Sequence, residues 1–156
     1  MTPLPVREEC VPKPQLVIFD CDGVLVDSEP ISLSVLIDII AEAGGDLDRQ
    51  LAHDRFLGRS MASVVDMLRD EHGVSLGQTA LADMRERLYE KFRKVLEPIT
   101  GIADAVRKLP VRYCVASSSQ VERIELSLGI TGLLPLFKGR IISSSMVSAG
   151  KPAPDL

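Results

Sequence analysis

The sequence contains no tryptophan, two tyrosines and four phenylalanines in 156 residues. So few aromatic rings argue against a surface built to stack nucleic-acid bases. Basic residues are not in excess either: 18 Lys and Arg face 22 Asp and Glu, for a formal net charge of −4. That balance speaks against a broad nucleic-acid footprint and against a basic helix lying on a membrane surface. No apolar run approaches the ~18 residues a spanning helix needs. Three cysteines, Cys10, Cys21 and Cys114, are an odd number without metal-ligand spacing. Neither a disulfide framework nor a structural zinc site is therefore expected. Residues 1–13 are proline-rich and polar, without an apolar signal core, and read as a loose tail on a cytosolic protein.

What is present suits a folded domain: 46% hydrophobic and 26% charged residues are enough to bury a core. Leu16-Val17-Ile18-Phe19 is a short apolar run that stops at Asp20, as expected of a parallel strand buried on both faces. The period then turns helical. Leu33, Leu36, Ile40 and Ala43 form one stripe before Gly44-Gly45, and Met61, Val64, Val65 and Leu68 form a second before Gly73. Leu81, Met84, Leu88, Phe92 and Val95 make a third, and a shorter helix is expected over 48–56. Met61 and Met84 belong to these stripes and read as core. Beyond Pro98, a helix carried by Ile102, Ala105, Val106 and Leu109 precedes a strand over 112–116. Ser119 and Glu122 have capping-box spacing for a helix over 121–128 ended by Gly129, and 140–143 reads as a third strand. The order predicts an α/β fold: a parallel, Rossmann-like sheet core (14–29 and 98–156) with an inserted all-helical cap domain (30–97).

Three elements carry chemistry: Asp20-x-Asp22 after the first strand, Ser117-Ser118-Ser119 after the second, and Lys151 after the third. Ligands of open parallel sheets bind beyond the carboxyl ends of the strands, so all three should converge in one crevice. Paired carboxylates at a tight turn suit Mg²⁺, a nucleophile and a proton carrier; they suit Asx turns and helix caps equally. Hydroxyls and N–H groups opening a helix make an anion site. Lys151, held between Gly150 and Pro152, is a solvated cation in isolation and a charge clamp on a phosphoryl group in that company. His53 and His72 read as surface residues. Cys21, lying between two acids that disfavour its thiolate, reads as packing.

The run from Val17 to Glu29, with Asp20-Cys21-Asp22-Gly23 at its centre, resembles the first motif of the haloacid dehalogenase superfamily. It is similar to the branch with a helical cap that includes β-phosphoglucomutase and many small-molecule phosphatases. Val115-Ala116-Ser117-Ser118-Ser119 resembles the second motif and Gly150-Lys151-Pro152-Ala153-Pro154-Asp155 the third. The resemblance implies Asp20 as nucleophile, passing through an aspartyl phosphate, and Asp22 as general acid and then base. It implies Mg²⁺ held by the Asp20 carboxylate and the Asp22 main-chain carbonyl. Ser117, Ser118 and Lys151 would then bind the phosphoryl group, with Gly58 and Arg59 in a cap loop that meets the substrate.

Leu57 and Met61 stand where the mutase has cap-loop cations, and Ser32 stands where it has a histidine. These departures favour a phosphatase of a small phosphorylated metabolite, a sugar or sugar-acid phosphate, over a phosphomutase; a catalytically inactive anion-binding fragment is the other alternative. The resemblance also implies a fourth motif, acids completing the metal site on a strand that pairs with the first. The chain stops at Leu156, so the expectation is a partial record of a longer enzyme, with its first strand left as an uncovered edge. Substrate identity and oligomeric state are not expected from sequence.

Overall fold

A computed structural model describes residues 13–56, 59 and 61–156. Strands β1 (Leu16–Phe19), β2 (Arg112–Ser117) and β3 (Ile141–Ser143) form a parallel sheet in the order β1-β2-β3. Between β1 and β2 run α1 (Glu29–Glu42), α2 (Arg49–Phe56), α3 (Met61–His72), α4 (Gln78–Val95) and α5 (Ile102–Arg107). Helices α6 (Val121–Ile130) and α7 (Leu134–Phe137) lead from β2 to β3, and a short 3-10 helix, Ser144–Met146, follows. The expected α/β architecture, a parallel sheet with helices inserted after its first strand, is the one observed.

Local chemistry explains the helix ends. Pro30 sits in the first turn of α1, where a missing N–H costs no helical bond. At the other end Gly44 takes φ 82° while the N–H groups of Ala43 and Gly45 bond to Ile39 and Ile40 carbonyls at 3.1 and 2.9 Å, a left-handed C-cap. Asp48 Oδ1 accepts from the N–H groups of Gln50 and Leu51 at 2.8 and 3.1 Å, the N-cap that starts α2. The face of α1 that carries Leu33, Leu36 and Ile40 is buried, as is the Met84, Leu88 and Phe92 face of α4. Arg87 of α4 also reaches Glu42 of α1 with two bonds of 2.5 and 2.9 Å.

Three expectations need correction, and one helix was not expected. Strand β1 is not buried on both faces: Leu16 is 44% and Ile18 61% exposed, because β1 is an edge of the sheet and no described element covers that side. Helix α6 has no capping box; its N-cap is Gln120 without a side-chain bond, and Gly129 lies inside the helix. Met61 is 39% exposed, because it opens α3 beside a cleft rather than over the core. Helix α7, with Pro135 in its first turn, has only four residues and left no periodic signal to read.

That short helix anchors the sheet's other face. Phe137, fully buried, meets Phe19 of β1 and Tyr113 of β2 edge-on, with ring centroids 5.9 and 5.5 Å away. Truncation Phe137→Ala empties this three-ring contact and is expected to cost about 3–5 kcal/mol. Ile18→Thr, on the exposed face of β1, is expected to stay within about 0.5 kcal/mol of the parent. Urea unfolding of the two variants checks the contrast; equal losses would place the sheet's support elsewhere.

Candidate active site

The chain leaves β1 at Asp20 and turns at once. Leu25 and Val26 donate to the Cys21 carbonyl at 2.9 and 3.2 Å, and Gly23 donates to Val26 at 2.9 Å. Gly23 has φ 73°, and a Cβ there would lie 2.8 Å from Glu29 Cδ, so the turn both needs and favours glycine. Beyond it, Asp27 N–H bonds to the Glu97 carbonyl and Ile99 N–H to the Leu25 carbonyl, both at 3.0 Å. The two chain crossings between sheet and inserted helices are thereby tied to each other.

Parallel pairing sets Phe19 beside Val115 and Ser117 beside Ser143, which brings three strand ends together. Lys151 Nζ lies 3.1 Å from Asp20 Oδ1, and that same oxygen accepts from Cys21 N–H at 2.9 Å. Asp22 is more enclosed. Its Oδ1 accepts from Ser28 Oγ at 2.6 Å and Arg123 Nη2 at 2.7 Å, and its Oδ2 accepts from Ser119 Oγ at 2.7 Å. Ser117 is buried, with its Oγ accepting from Ser119 N–H at 3.1 Å. Serines at the end of β3 and just after it brace this loop: Ser143 Oγ donates to the Ser119 carbonyl at 2.6 Å and Ser144 Oγ to the Ser118 carbonyl at 2.8 Å.

A cleft of about 560 Å³ opens over these groups. Asp20, Asp22, Ser118 and Ser119 line its sheet side, and Phe56, Arg59, Met61, Met84, Arg85 and Tyr89 line it from the inserted helices. Arg59 is exposed, and its Nε donates to the Arg55 carbonyl at 2.7 Å. Gly58, with Leu57 and Ser60, lies outside the described residues. The structure thus sets Asp20, Asp22 and Ser118 on one side of the cleft with Arg59 across it, joins Lys151 to Asp20, and buries Ser117 beneath the Ser119 N–H.

Electrostatics separate the neighbours. Burial pushes the Asp22 carboxyl up, but the Arg123 charge and the bonds from Ser28, Ser119 and Arg123 outweigh it and hold the carboxyl below its ordinary 3.8. Cys21, 1% exposed, goes the other way: burial first, then the Asp22 charge, lifts its thiol to about 12. The expectation that Cys21 is packing rather than nucleophile holds on both counts. Asp20 offers hard carboxylate oxygens suited to Mg²⁺, which keeps several of its own waters. Among the described residues no group of three or more His, Cys, Asp or Glu is poised around a common point. The Asp22 carboxylate is already engaged by three donors.

Sequence reasoning missed Ser28, the bond from Ser119 to Asp22, and Arg123. Ser119 bonds Asp22 instead of capping α6. Arg123 left one readable signal: it is a cation in the first turn of α6, where the helix dipole disfavours positive charge. Such a placement asks for a local anion, and Asp22 is that anion.

Residues 17–156 match the sequence model of the haloacid dehalogenase-like hydrolases. The chain belongs to this family. A 6-phosphogluconate phosphatase of Escherichia coli K12 is 31% identical over 143 residues, covering 91% of this chain and 65% of that protein. A haloacid dehalogenase-like protein of unknown function from Agrobacterium tumefaciens superposes with a TM-score of 0.77 at 31% identity, over 90% of this chain and 64% of the other. A family hydrolase from Deinococcus radiodurans, solved with phosphate and sodium bound, gives 0.69 at 32% identity, over 91% and 63%. This haloacid dehalogenase-like chain therefore spans just under two thirds of these relatives' lengths.

Two expectations follow from the site's electrostatics. With its folded pKa lowered, Asp22 stabilises the fold above about pH 4, and that contribution is lost as pH falls through the lowered value. Stability measured by urea unfolding between pH 6 and 3 is expected to fall more steeply for the parent than for Asp22→Asn; parallel slopes would refute the assignment. Cys21 is expected to resist alkylation at pH 8 in the folded chain and to react fully in denaturant, which peptide mass spectrometry reads directly.

Proposed function

We propose that this chain carries the active site of a phosphatase that hydrolyses a small phosphorylated metabolite through Asp20. The observation that carries the reading is the pairing of Lys151 with Asp20 where Asp20 and Asp22 line a cleft closed on its other side by the inserted helices. The Asp20 carboxylate attacks phosphorus and the ester oxygen leaves, giving an aspartyl phosphate. Lys151, already 3.1 Å from Asp20, offsets the charge that gathers there, and Ser117 and Ser118 hold phosphoryl oxygens. Asp22 supplies the leaving oxygen's proton and then takes one from the water that opens the acyl phosphate.

The lowered pKa of Asp22 suits the second, basic half of that cycle. A phosphate dianion beside the carboxyl raises its proton affinity, which suits the first half. Mg²⁺, when held by the Asp20 carboxylate and the Asp22 carbonyl, supplies neutralising charge to the transferring group. Residues 30–97 act as the cap that shields this chemistry from bulk water, with Gly58 and Arg59 in the loop that meets the substrate. The likeness to a 6-phosphogluconate phosphatase and the side chains of Arg59 and Arg85 lining the cleft support a sugar-acid phosphate as substrate. Free thiols at Cys21 and Cys114 fit a cytosolic home, and no described helix is long and apolar enough to cross a membrane.

Phosphate release from a panel of sugar and sugar-acid phosphates tests the reading. Turnover is expected to need Mg²⁺, to stop with a chelator and to fall at least ~10³-fold in Asp20→Asn. Release that survives Asp20→Asn would remove Asp20 from the chemistry. Turnover that starts only with a sugar bisphosphate activator would make the chain a mutase instead.

A further inference from the structure

Arg123 breaks two local rules at once. It places a positive charge in the first turn of α6, against the helix dipole, and its Nε is buried without a hydrogen-bond partner. Rules broken locally are kept only where something else offsets them. What Arg123 gains is a set of contacts joining three parts of the chain. Its Nη2 donates to Asp22 Oδ1 at 2.7 Å and to Ser32 Oγ of α1 at 3.2 Å. Its guanidinium carbon lies 5.4 Å from the centroid of the Phe92 ring on α4, a distance at which cation and ring face attract.

The Asp22 carboxylate is therefore held by Ser28 and Arg123 on one oxygen and by Ser119 on the other. The two hydroxyls can rotate with a side chain that swings. A planar guanidinium seated on a ring and pinned to α1 cannot follow it. We propose that Arg123 is a positioning residue, fixing the direction in which Asp22 presents its carboxylate to the cleft by bracing it against α1 and α4. This rests on the reading of Asp22 as proton carrier in the phosphatase. Arg123 itself need not touch the reacting atoms.

A brace acts on the chemical step more than on substrate capture. In Arg123→Met, kcat is expected to fall at least ~30-fold while KM moves less than ~3-fold, since misorientation of a catalytic group penalises the reaction rather than the encounter. Arg123→Lys, which keeps the charge and loses the plane, is expected to recover only part of kcat. Adding Arg123→Met to Asp22→Asn is expected to cost less than ~3-fold further, because the two act as a unit. Unchanged kcat in Arg123→Met, or full additivity with Asp22→Asn, overturns the proposal.

A readout independent of turnover separates this proposal from the phosphatase reading. In ¹⁵N spectra the Arg123 guanidinium, assigned by its loss in Arg123→Lys, is expected to show distinct, slowly exchanging Nη signals that merge in Asp22→Ala. A merged signal in the parent chain overturns the brace even if the enzyme is active. Distinct signals in a chain that releases no phosphate from any substrate would sink the phosphatase reading and leave the brace standing.

Discussion

Parallel pairing of β1 with β2 is the constraint on which the site depends. Four residue pairs, from Leu16 beside Arg112 to Phe19 beside Val115, set where both strands end, and hence where Asp20 and Ser117 stand. A shift of one residue would turn each side chain to the opposite face of the sheet. The pairing crosses almost a hundred residues of sequence, so the intervening helices must fold without disturbing it. The bonds between 25–27 and 97–99 bring the chain back at the point where it left.

From that register the charges arrange themselves. Lys151 reaches Asp20 from the loop after β3, while Asp22, two residues further along, turns towards Arg123, Ser28 and Ser119. The two carboxylates thus differ in their surroundings: Asp20 meets Lys151 and the Cys21 N–H, while a network of three donors holds the Asp22 carboxyl below its ordinary pKa. The serines of the 3-10 helix and of β3 reinforce the same loop from behind, so the hydroxyl-rich segment 117–119 has its carbonyls fixed rather than free. The cleft's other wall comes from α1, α3 and α4, which contribute mostly apolar groups with Arg85 among them, and from Arg59 between α2 and α3.

The exposed face of β1 is the other consequence of the same register. Leu16 and Ile18 point away from the packed side, where Phe19 meets Phe137. An edge strand that exposes apolar residues tends to pair with whatever strand is available. On the buried face, Phe137 of the four-residue α7 sets its ring against Phe19 of β1 and Tyr113 of β2, and α6 packs on β3.

The sequence by itself determined the element order, the helix stripes and the three chemical segments, because each is written in contiguous residues. Apolar periodicity, Gly44 after α1 and the Asp20-x-Asp22 turn are local signals, and local physics acts on them directly. Pairings between distant residues were decided only by tertiary structure. Nothing near Ser119 says its hydroxyl will leave its own helix for Asp22, and nothing near Arg123 names the carboxylate that compensates it. Exposure of Ile18 likewise turned on which strands lie beside β1, and Met61 on which side of α3 faces the cleft. Side-chain chemistry fixes what a residue is able to do; the folded chain fixes which partner is within about 3 Å when it does it.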